Sequence, residues 1–453
     1  MELKNKKVLL VGLAKTGVST IKYLDKLGAK TIVNDIKKEE QLQDILNELK
    51  DLKNVEYILG YHPENVDDID MAVVSPGVPL DLPFICKLKE NNIKIIGEVE
   101  LAYQLSKNNP IFIGITGTNG KTTTTTLVGE IFKKANKDTY IVGNIGNPVI
   151  DTVDLTNKDS VLVTELSSFQ LESIDTFRPK VSAFLNITED HLNRHHNMQN
   201  YIKAKSRVFE NQKNDDYTVL NYDDVSVRNL KNECNSKVIF FSRKEKLNEG
   251  IYLDEYNNIV IDINEKIVLL NADELSLPGE HNLENCMAAV AITYVMGIDI
   301  EVIKEVLKTF KAVEHRQEFV RELNNIMFVN DSKGTNPDST IKAIKSYKRN
   351  IILIAGGKDK GSSYDELLEV AKENVVALVL LGETATKIEE TAREKGFDKI
   401  YTVKNMKEAV ETSYKIAQSN DVVLLSPACA SWDMYKSFEV RGKDFKDNVN
   451  NLK

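Results

Sequence analysis

The stretch Pro110–Gly129, reading PIFIGITGTNGKTTTTTLVG, limits this chain more than any other. Ile111, Phe112, Ile113 and Ile115 make a short apolar run rich in β-branched residues, which predicts a buried strand. Gly117, Asn119 and Gly120 break it, and a helix is predicted from Lys121 despite five consecutive threonines of poor helix propensity. A strand, a glycine turn and a helix start make a phosphate cradle, because the first N–H groups of a helix lack partners and its dipole leaves partial positive charge there. Gly117, Thr118, Asn119, Gly120 and Thr123 are the candidate cradle for ATP. Lys121 adds a mobile charge for the β- and γ-phosphates, and the Thr122 hydroxyl is a candidate Mg²⁺ ligand. Ile115 stands where the full P-loop pattern has glycine, so GxxGKT by itself fits an ordinary glycine turn equally well. The preceding strand and the hydroxyls after the lysine favour a nucleotide.

The loop variant TGTNGKTT resembles the ATP site of the Mur ligases and folylpolyglutamate synthases, which join an amino acid to a carboxylate using ATP. The rest of the chain fits a soluble enzyme of that kind. Its 453 residues predict about three domains, and 42% hydrophobic with 28% charged residues is globular. A net charge of -9 argues against nucleic-acid binding. Cys86, Cys234, Cys286 and Cys429 form no CxxC pair and read as free thiols of a reducing compartment. The apolar part of the opening MELKNKKVLLVGLAKTG is too short for a secretion signal, and no run approaches a membrane span. A cytoplasmic monomer acting on small molecules is expected, with no nucleic acid and no membrane insertion.

The expected fold is α/β in three domains: a Rossmann-like first domain over 1–98, a central P-loop-type ATPase domain with a mostly parallel sheet over 99–312, and a Rossmann-like third domain over 313–453. In the first, Lys7–Val11 and Thr31–Asn34 are predicted strands around the turn Gly12–Gly17, with Asp35 where a ribose-binding acid would sit. Ala14 replaces the middle glycine of the dinucleotide fingerprint and would crowd a pyrophosphate. Another strand, Met71–Val74, runs into the rigid turn Ser75-Pro76-Gly77-Val78-Pro79. The resemblance implies that this domain holds the UDP of a sugar-nucleotide substrate, with Thr16, Asp35, Ser75 and Gly77 as contacts; Lys15 is a further candidate for the diphosphate.

In the central domain, Asn144, Glu165 and His191 each follow a predicted strand, as the phosphate loop does, and ligands of parallel sheets sit beyond such strand ends. Glu165 is the candidate ligand of the Mg²⁺ of ATP, His191 of a second ion, and Asn144 a candidate substrate contact. In the predicted helix Met198–Asn211, Tyr201, Ile202, Val208 and Phe209 share one face with Lys205 in its middle, while Lys203, Ser206, Arg207 and Glu210 take the other. A snorkelling lysine is the ordinary reading. Burial instead disfavours the ammonium form, and a neutral amine can take up CO₂ as a carbamate. The resemblance raises that second reading, since several Mur ligases carry a carbamylated lysine where Lys205 falls. Asn282 reads as a helix N-cap; within the family signature GxHNxxNxxAA, Asn282 and Asn285 are implied nucleotide contacts.

In the third domain, Ile326–Asn330, Asn350–Ala355, Val376–Leu381, Lys399–Val403 and Val422–Leu425 are predicted strands. Loops at their ends carry Asp331-Ser332-Lys333-Gly334-Thr335, Gly356-Gly357-Lys358-Asp359-Lys360 and Ser426–Asp433, the last leading to Phe438-Glu439-Val440-Arg441-Gly442. On one sheet edge these suit a dianionic amino acid, with Lys360 for its side-chain carboxylate, Thr335 and Ser431 as donors, and Phe438 beside them. Arg316 is placed to reach the γ-phosphate, and Asp331 and Lys333 to close over ATP. DSKGTN together with SPACASWDMYKSFEVRG is similar to the D-glutamate-adding branch of the family. The resemblance thus implies ligation of D-glutamate to UDP-N-acetylmuramoyl-L-alanine through an acyl phosphate. It assigns Lys121, His191, Lys205 and Arg316 to catalysis, and two Mg²⁺ ions to a site formed by Thr122, Glu165, His191 and carbamylated Lys205. Two other functions share these features. Folylpolyglutamate synthase is disfavoured by the complete first domain, and a nucleotide-binding switch would bind ATP without acceptor-dependent turnover.

Overall fold

A computed structural model describes residues 1–63, 68–277, 279–311 and 314–453, with the side chain of Asn193 left undescribed. The expected boundary between the second and third domains, at residues 312 and 313, lies outside the described residues, as does Pro278. The chain forms two compact units: residues 1–187, 194–272 and 285–307 make one, and residues 188–193, 273–284 and 308–453 the other.

The first unit carries two sheets. One is wholly parallel: β1 (Lys7–Val11), β2 (Lys30–Asp35), β3 (Val55–Leu59), β4 (Met71–Val74) and β5 (Lys94–Gly97), in the order β3-β2-β1-β4-β5. The other contains β6 (Ile111–Thr116), β7 (Thr139–Gly143), β8 (Val161–Glu165), β9 (Val181–Phe184), β10 (Tyr217–Asn221), β11 (Lys237–Ser242), β12 (Gly250–Leu253), β13 (Asn258–Asp262) and β14 (Lys266–Asn271). Its order is β14-β13-β12-β11-β10-β9-β6-β8-β7, parallel except for the β12–β13–β14 meander at one edge. The helix Lys15–Lys26 is fastened onto the second sheet's layer by polar pairs. Lys15 Nζ donates to Gly146 O at 2.7 Å, Ser19 to Asp151 at 3.1 Å, and Tyr23 and Lys26 to Asp154 at 2.9 and 2.7 Å. Lys15, a candidate for the diphosphate, thus has a backbone partner.

The second unit is built on β15 (Glu318–Leu323), β16 (Ile326–Asn330), β17 (Ile351–Ala355), β18 (Val375–Leu380), β19 (Ile400–Thr402) and β20 (Val422–Leu425), in the order β15-β16-β20-β17-β18-β19. Only β15 runs antiparallel. Every residue of β17 and β20 is buried, as expected for strands covered on both faces by helices. The α/β architecture with mostly parallel sheets is therefore as expected. No helix among the described residues is long and apolar enough to cross a membrane.

Candidate active site

In the first unit β6 delivers the turn Gly117–Gly120, and the helix Lys121–Lys134 starts there as expected. Gly120 is left-handed at φ 82°, and a Cβ there would lie 2.1 Å from Asn285 Oδ1. Only glycine fits, both for its backbone angle and for the amide packed on it. Asn186, just beyond β9, grips the turn: its Oδ1 accepts the Asn119 N–H at 2.9 Å, its Nδ2 donates to Asn119 O at 3.1 Å, and its carbonyl accepts the Thr118 N–H at 2.9 Å. Lys121 Nζ folds back over the loop, donating to Gly117 O at 2.9 Å and Thr118 O at 2.6 Å.

Lys205 reaches the same place. It is 1% exposed, donates to Gly117 O at 2.6 Å, and lies 4.8 Å from the Tyr201 ring centroid. Lys121 and Lys205 therefore converge on one carbonyl oxygen. The helix that carries Lys205 runs from Met198 to Ser206, capped by the Asn197 side chain, and then tightens into a 3-10 turn, Arg207–Phe209. That tightening corrects the predicted polar face: Ser206 is buried, 7% exposed, and its hydroxyl bonds Ile202 O at 3.0 Å.

Glu165, the last residue of β8, is buried, with Thr122 Oγ1 donating to its Oε2 at 2.8 Å and Asn144 Nδ2 to its Oε1 at 2.8 Å. The structure thus brings Thr122, Glu165 and Asn144 together beside the turn. A hydroxyl and a carboxylate in contact are the hard oxygen donors that fit Mg²⁺. On the first sheet, Ser75 Oγ donates to Gly12 O at 2.8 Å, and Asp35 accepts the N–H groups of Leu13 at 2.7 Å and Lys37 at 2.9 Å. Ser75 and Asp35 therefore shape the turn on which half-buried Thr16 lies, while Gly77 has open space where a Cβ would be.

In the second unit, Asp190 gathers Lys360 Nζ at 3.4 Å, Asn336 Nδ2 at 3.1 Å and its neighbour His191 Nε2 at 3.5 Å. Asp331 ends the β16 run; it accepts from Ser426 Oγ at 2.7 Å and the Gln317 N–H at 3.3 Å, and Arg316 Nη1 lies 3.8 Å away. Burial pushes the Asp331 carboxyl up to about 6, partly offset by Arg316. Arg316 Nε is buried and donates to no partner among the described residues. That orphaned donor fits an incoming oxyanion. Lys333 Nζ stands 5.3 Å from the Phe438 ring centroid, Ser431 is buried, and Thr335 is half-buried on the same edge. Asn282 is buried too, but the helix begins at Glu280, so it lies inside the first turn and is not the N-cap. Asn282 belongs to the second unit and Asn285 to the first.

Residues 6–97 match the Mur ligase MurD-like N-terminal domain, 115–293 the Mur ligase middle domain, and 315–429 the Mur ligase glutamate ligase domain. Among curated proteins, the chain is 72% identical to the UDP-N-acetylmuramoylalanine–D-glutamate ligase of Clostridioides difficile, over 100% of both chains. The chain belongs to the Mur ligase family. It is also 50% identical to the ligase of the same name from Alkaliphilus oremlandii, again over 100% of each. Solved Mur ligases share its fold. UDP-N-acetylmuramate–alanine ligase MurC of Thermotoga maritima aligns at a TM-score of 0.62 with 19% identity, covering 99% of this chain and 100% of that one. The MurF ligase of the same organism in complex with ADP aligns at 0.60 with 16% identity, covering 99% and 96%.

Two residues of this Mur ligase that shape the sites escaped the sequence reading. Asn186 follows β9 just as Asn144 and Glu165 follow their strands, so the strand-end signal was present for it. Arg441, in the helix Phe438–Asn450, falls at helical spacing with buried Phe445 and Val449, the same pattern that marks Lys205.

Proposed function

We propose that this Mur ligase joins D-glutamate to UDP-N-acetylmuramoyl-L-alanine using ATP, a step in building peptidoglycan precursors. The observation that carries the nucleotide site is Lys121 Nζ folded over the turn, 2.9 Å from Gly117 O and 2.6 Å from Thr118 O. It concentrates positive charge at a glycine turn that opens a helix, where the polyphosphate of ATP would settle. The backbone of Gly117–Thr123 cradles the phosphates, with Asn285 against the turn, and Asn282 is a further nucleotide contact. Thr122 and Glu165 would hold one Mg²⁺, and His191 with Lys205 as a carbamate a second. Bound Mg²⁺ would neutralise charge gathering on the transferred phosphoryl group.

A carboxylate is a poor electrophile. In the reading proposed here, its oxygen takes the γ-phosphoryl group of ATP, giving an acyl phosphate and ADP. The amine of D-glutamate then attacks the acyl carbon, and phosphate leaves from the tetrahedral intermediate. Lys121 and Arg316 stabilise the charge on the phosphoryl oxygens, and His191 positions the reacting groups. Asp331 and Lys333 close over the ATP. Residues 1–98, through Thr16, Asp35, Ser75 and Gly77, take the UDP-sugar; Asn144 meets the same substrate from the central domain, 99–312. Residues 313–453 take D-glutamate, with Lys360 on its side-chain carboxylate, Thr335 and Ser431 as donors, and Phe438 flanking. We read the enzyme as a cytoplasmic monomer.

ADP and phosphate release tests this function. It is expected only when UDP-N-acetylmuramoyl-L-alanine and D-glutamate are both present. Full turnover with L-glutamate, or with a folate in place of the sugar nucleotide, contradicts it; so does ATP binding without any acceptor-dependent turnover.

A further inference from the structure

Arg441 is 2% exposed, yet among the described residues its guanidinium makes no ion pair. All of its hydrogen bonds go to two loops. Nε donates to Ser332 Oγ at 3.0 Å and Nη2 to Ser332 O at 2.8 Å. Nη1 donates to Cys429 O at 3.1 Å and Ala430 O at 3.2 Å, and Nη2 also to Cys429 O at 3.2 Å. Ser332 belongs to the loop after β16, while Cys429 and Ala430 belong to the loop after β20. The loop after β17 presses on the same group: Gly357 is at φ 146°, and a Cβ there would lie 3.2 Å from Arg441 Nη1 and 2.2 Å from Ala430 O. Ser332 Oγ in turn donates to Phe438 O at 2.8 Å, tying in the start of the Arg441 helix.

A buried charge hydrogen-bonded only to carbonyls and a hydroxyl, with the Asp433 and Asp331 carboxylates acting on it without a direct ion pair, is an unfavourable way to stabilise a fold. Its use is geometric: the rigid planar fork fixes several acceptors at once, which a lysine cannot do. Burial pulls the Arg441 guanidinium down to about 10, so it stays charged at neutral pH. The three loops it touches or abuts are those that carry Thr335, Lys360 and Ser431, and Phe438 begins its own helix.

We propose that Arg441 is the positioning residue of the amino-acid site, holding the loops after β16, β17 and β20 in the one register that fits a dicarboxylic amino acid. This rests on the assignment of D-glutamate to the third domain. An Arg residue acting through other residues should move KM for one substrate only.

The test is steady-state kinetics on the full-length enzyme, varying each of the three substrates in turn, for wild type, Arg441→Lys, Arg441→Met and Ser332→Ala. Expected are a rise of at least 30-fold in KM for D-glutamate in Arg441→Met, a smaller rise in Arg441→Lys and Ser332→Ala, and less than 3-fold change in KM for ATP and for the sugar nucleotide. Unchanged KM for D-glutamate in Arg441→Met, or a proportional rise in all three KM values, overturns the proposal. Should Arg441→Met lose its cooperative unfolding transition, Ser332→Ala decides by the same selectivity. Wild-type enzyme that ignores D-glutamate overturns instead the function on which the proposal rests, so the two failures are distinct.

Discussion

Replacing Gly120 by alanine probes the phosphate turn at its tightest point. The new Cβ would stand 2.1 Å from Asn285 Oδ1, closer than real Cβ contacts run, and 3.1 Å from its Cγ, a tight contact. The backbone at φ 82° must also hold a left-handed conformation with a side chain, which costs roughly 1–2 kcal/mol. Forcing a methyl group into filled space adds about 1–3 kcal/mol. The sum is about 2–5 kcal/mol, taken either from stability or from the placement of Asn285 and the turn. Denaturant unfolding and calorimetric titration of ATP separate the two. Gly120→Ala is expected to lose stability, to bind ATP at least about tenfold more weakly, or both. Adding Asn285→Ala removes the atom that is struck, and the double variant should regain about 1–3 kcal/mol of stability relative to Gly120→Ala. ATP affinity should stay low in the double variant, because the strained turn and the lost amide both remain. Wild-type unfolding and wild-type ATP affinity in Gly120→Ala would refute this account of the turn.

Other perturbations test other parts of the site. Lys205→Ala should lower kcat by at least about 100-fold, and wild-type activity should fall when bicarbonate and CO₂ are removed; intact activity in the variant sinks the carbamate. Glu165→Gln should move the Mg²⁺ midpoint of activity to higher concentration while leaving the fold intact, and an unmoved midpoint removes Glu165 from the metal site. Asp331 predicts a pH effect on stability. Its folded carboxyl titrates near 6 against an unfolded value near 3.8, so between these pH values the unfolded chain holds fewer protons. Wild type should therefore lose up to about 3 kcal/mol relative to Asp331→Asn as pH rises from 4 to 6, and no more above that. A stability difference that does not change with pH contradicts the burial argument.

Buried parallel strands were the legible part of the fold. Met71–Val74, Ile326–Asn330 and Val422–Leu425 are continuous apolar runs ended by turns, and the structure starts and stops them at those residues. What escaped was the sheet margin. Val55–Leu59 and Glu318–Leu323 lie at edges, are largely half-exposed, and carry charges within the strand, so no buried apolar run marks them. Lys94–Gly97 is only four residues long. The site divides in the same way. Lys205 was found because a charge on an apolar helical face is local information. Its partner was not, because Gly117 lies 88 positions away and offers a backbone carbonyl that any residue would have. Arg441 is similar: its acceptor Ser332 is 109 positions distant, and carbonyls leave no mark in sequence. Helix ends blurred as well, since Asn282 has the residue type of a cap but follows a helix start set two residues earlier by Glu280.

The proposed acyl phosphate is tested most directly by isotope transfer. UDP-N-acetylmuramoyl-L-alanine labelled with ¹⁸O in its free carboxylate is turned over with ATP and D-glutamate, and the released phosphate is weighed by mass spectrometry. Passage of one ¹⁸O atom into phosphate per turnover is expected, since the carboxylate oxygen that takes the phosphoryl group leaves with it. Phosphate free of label, with product formed, would contradict activation of the carboxylate by ATP.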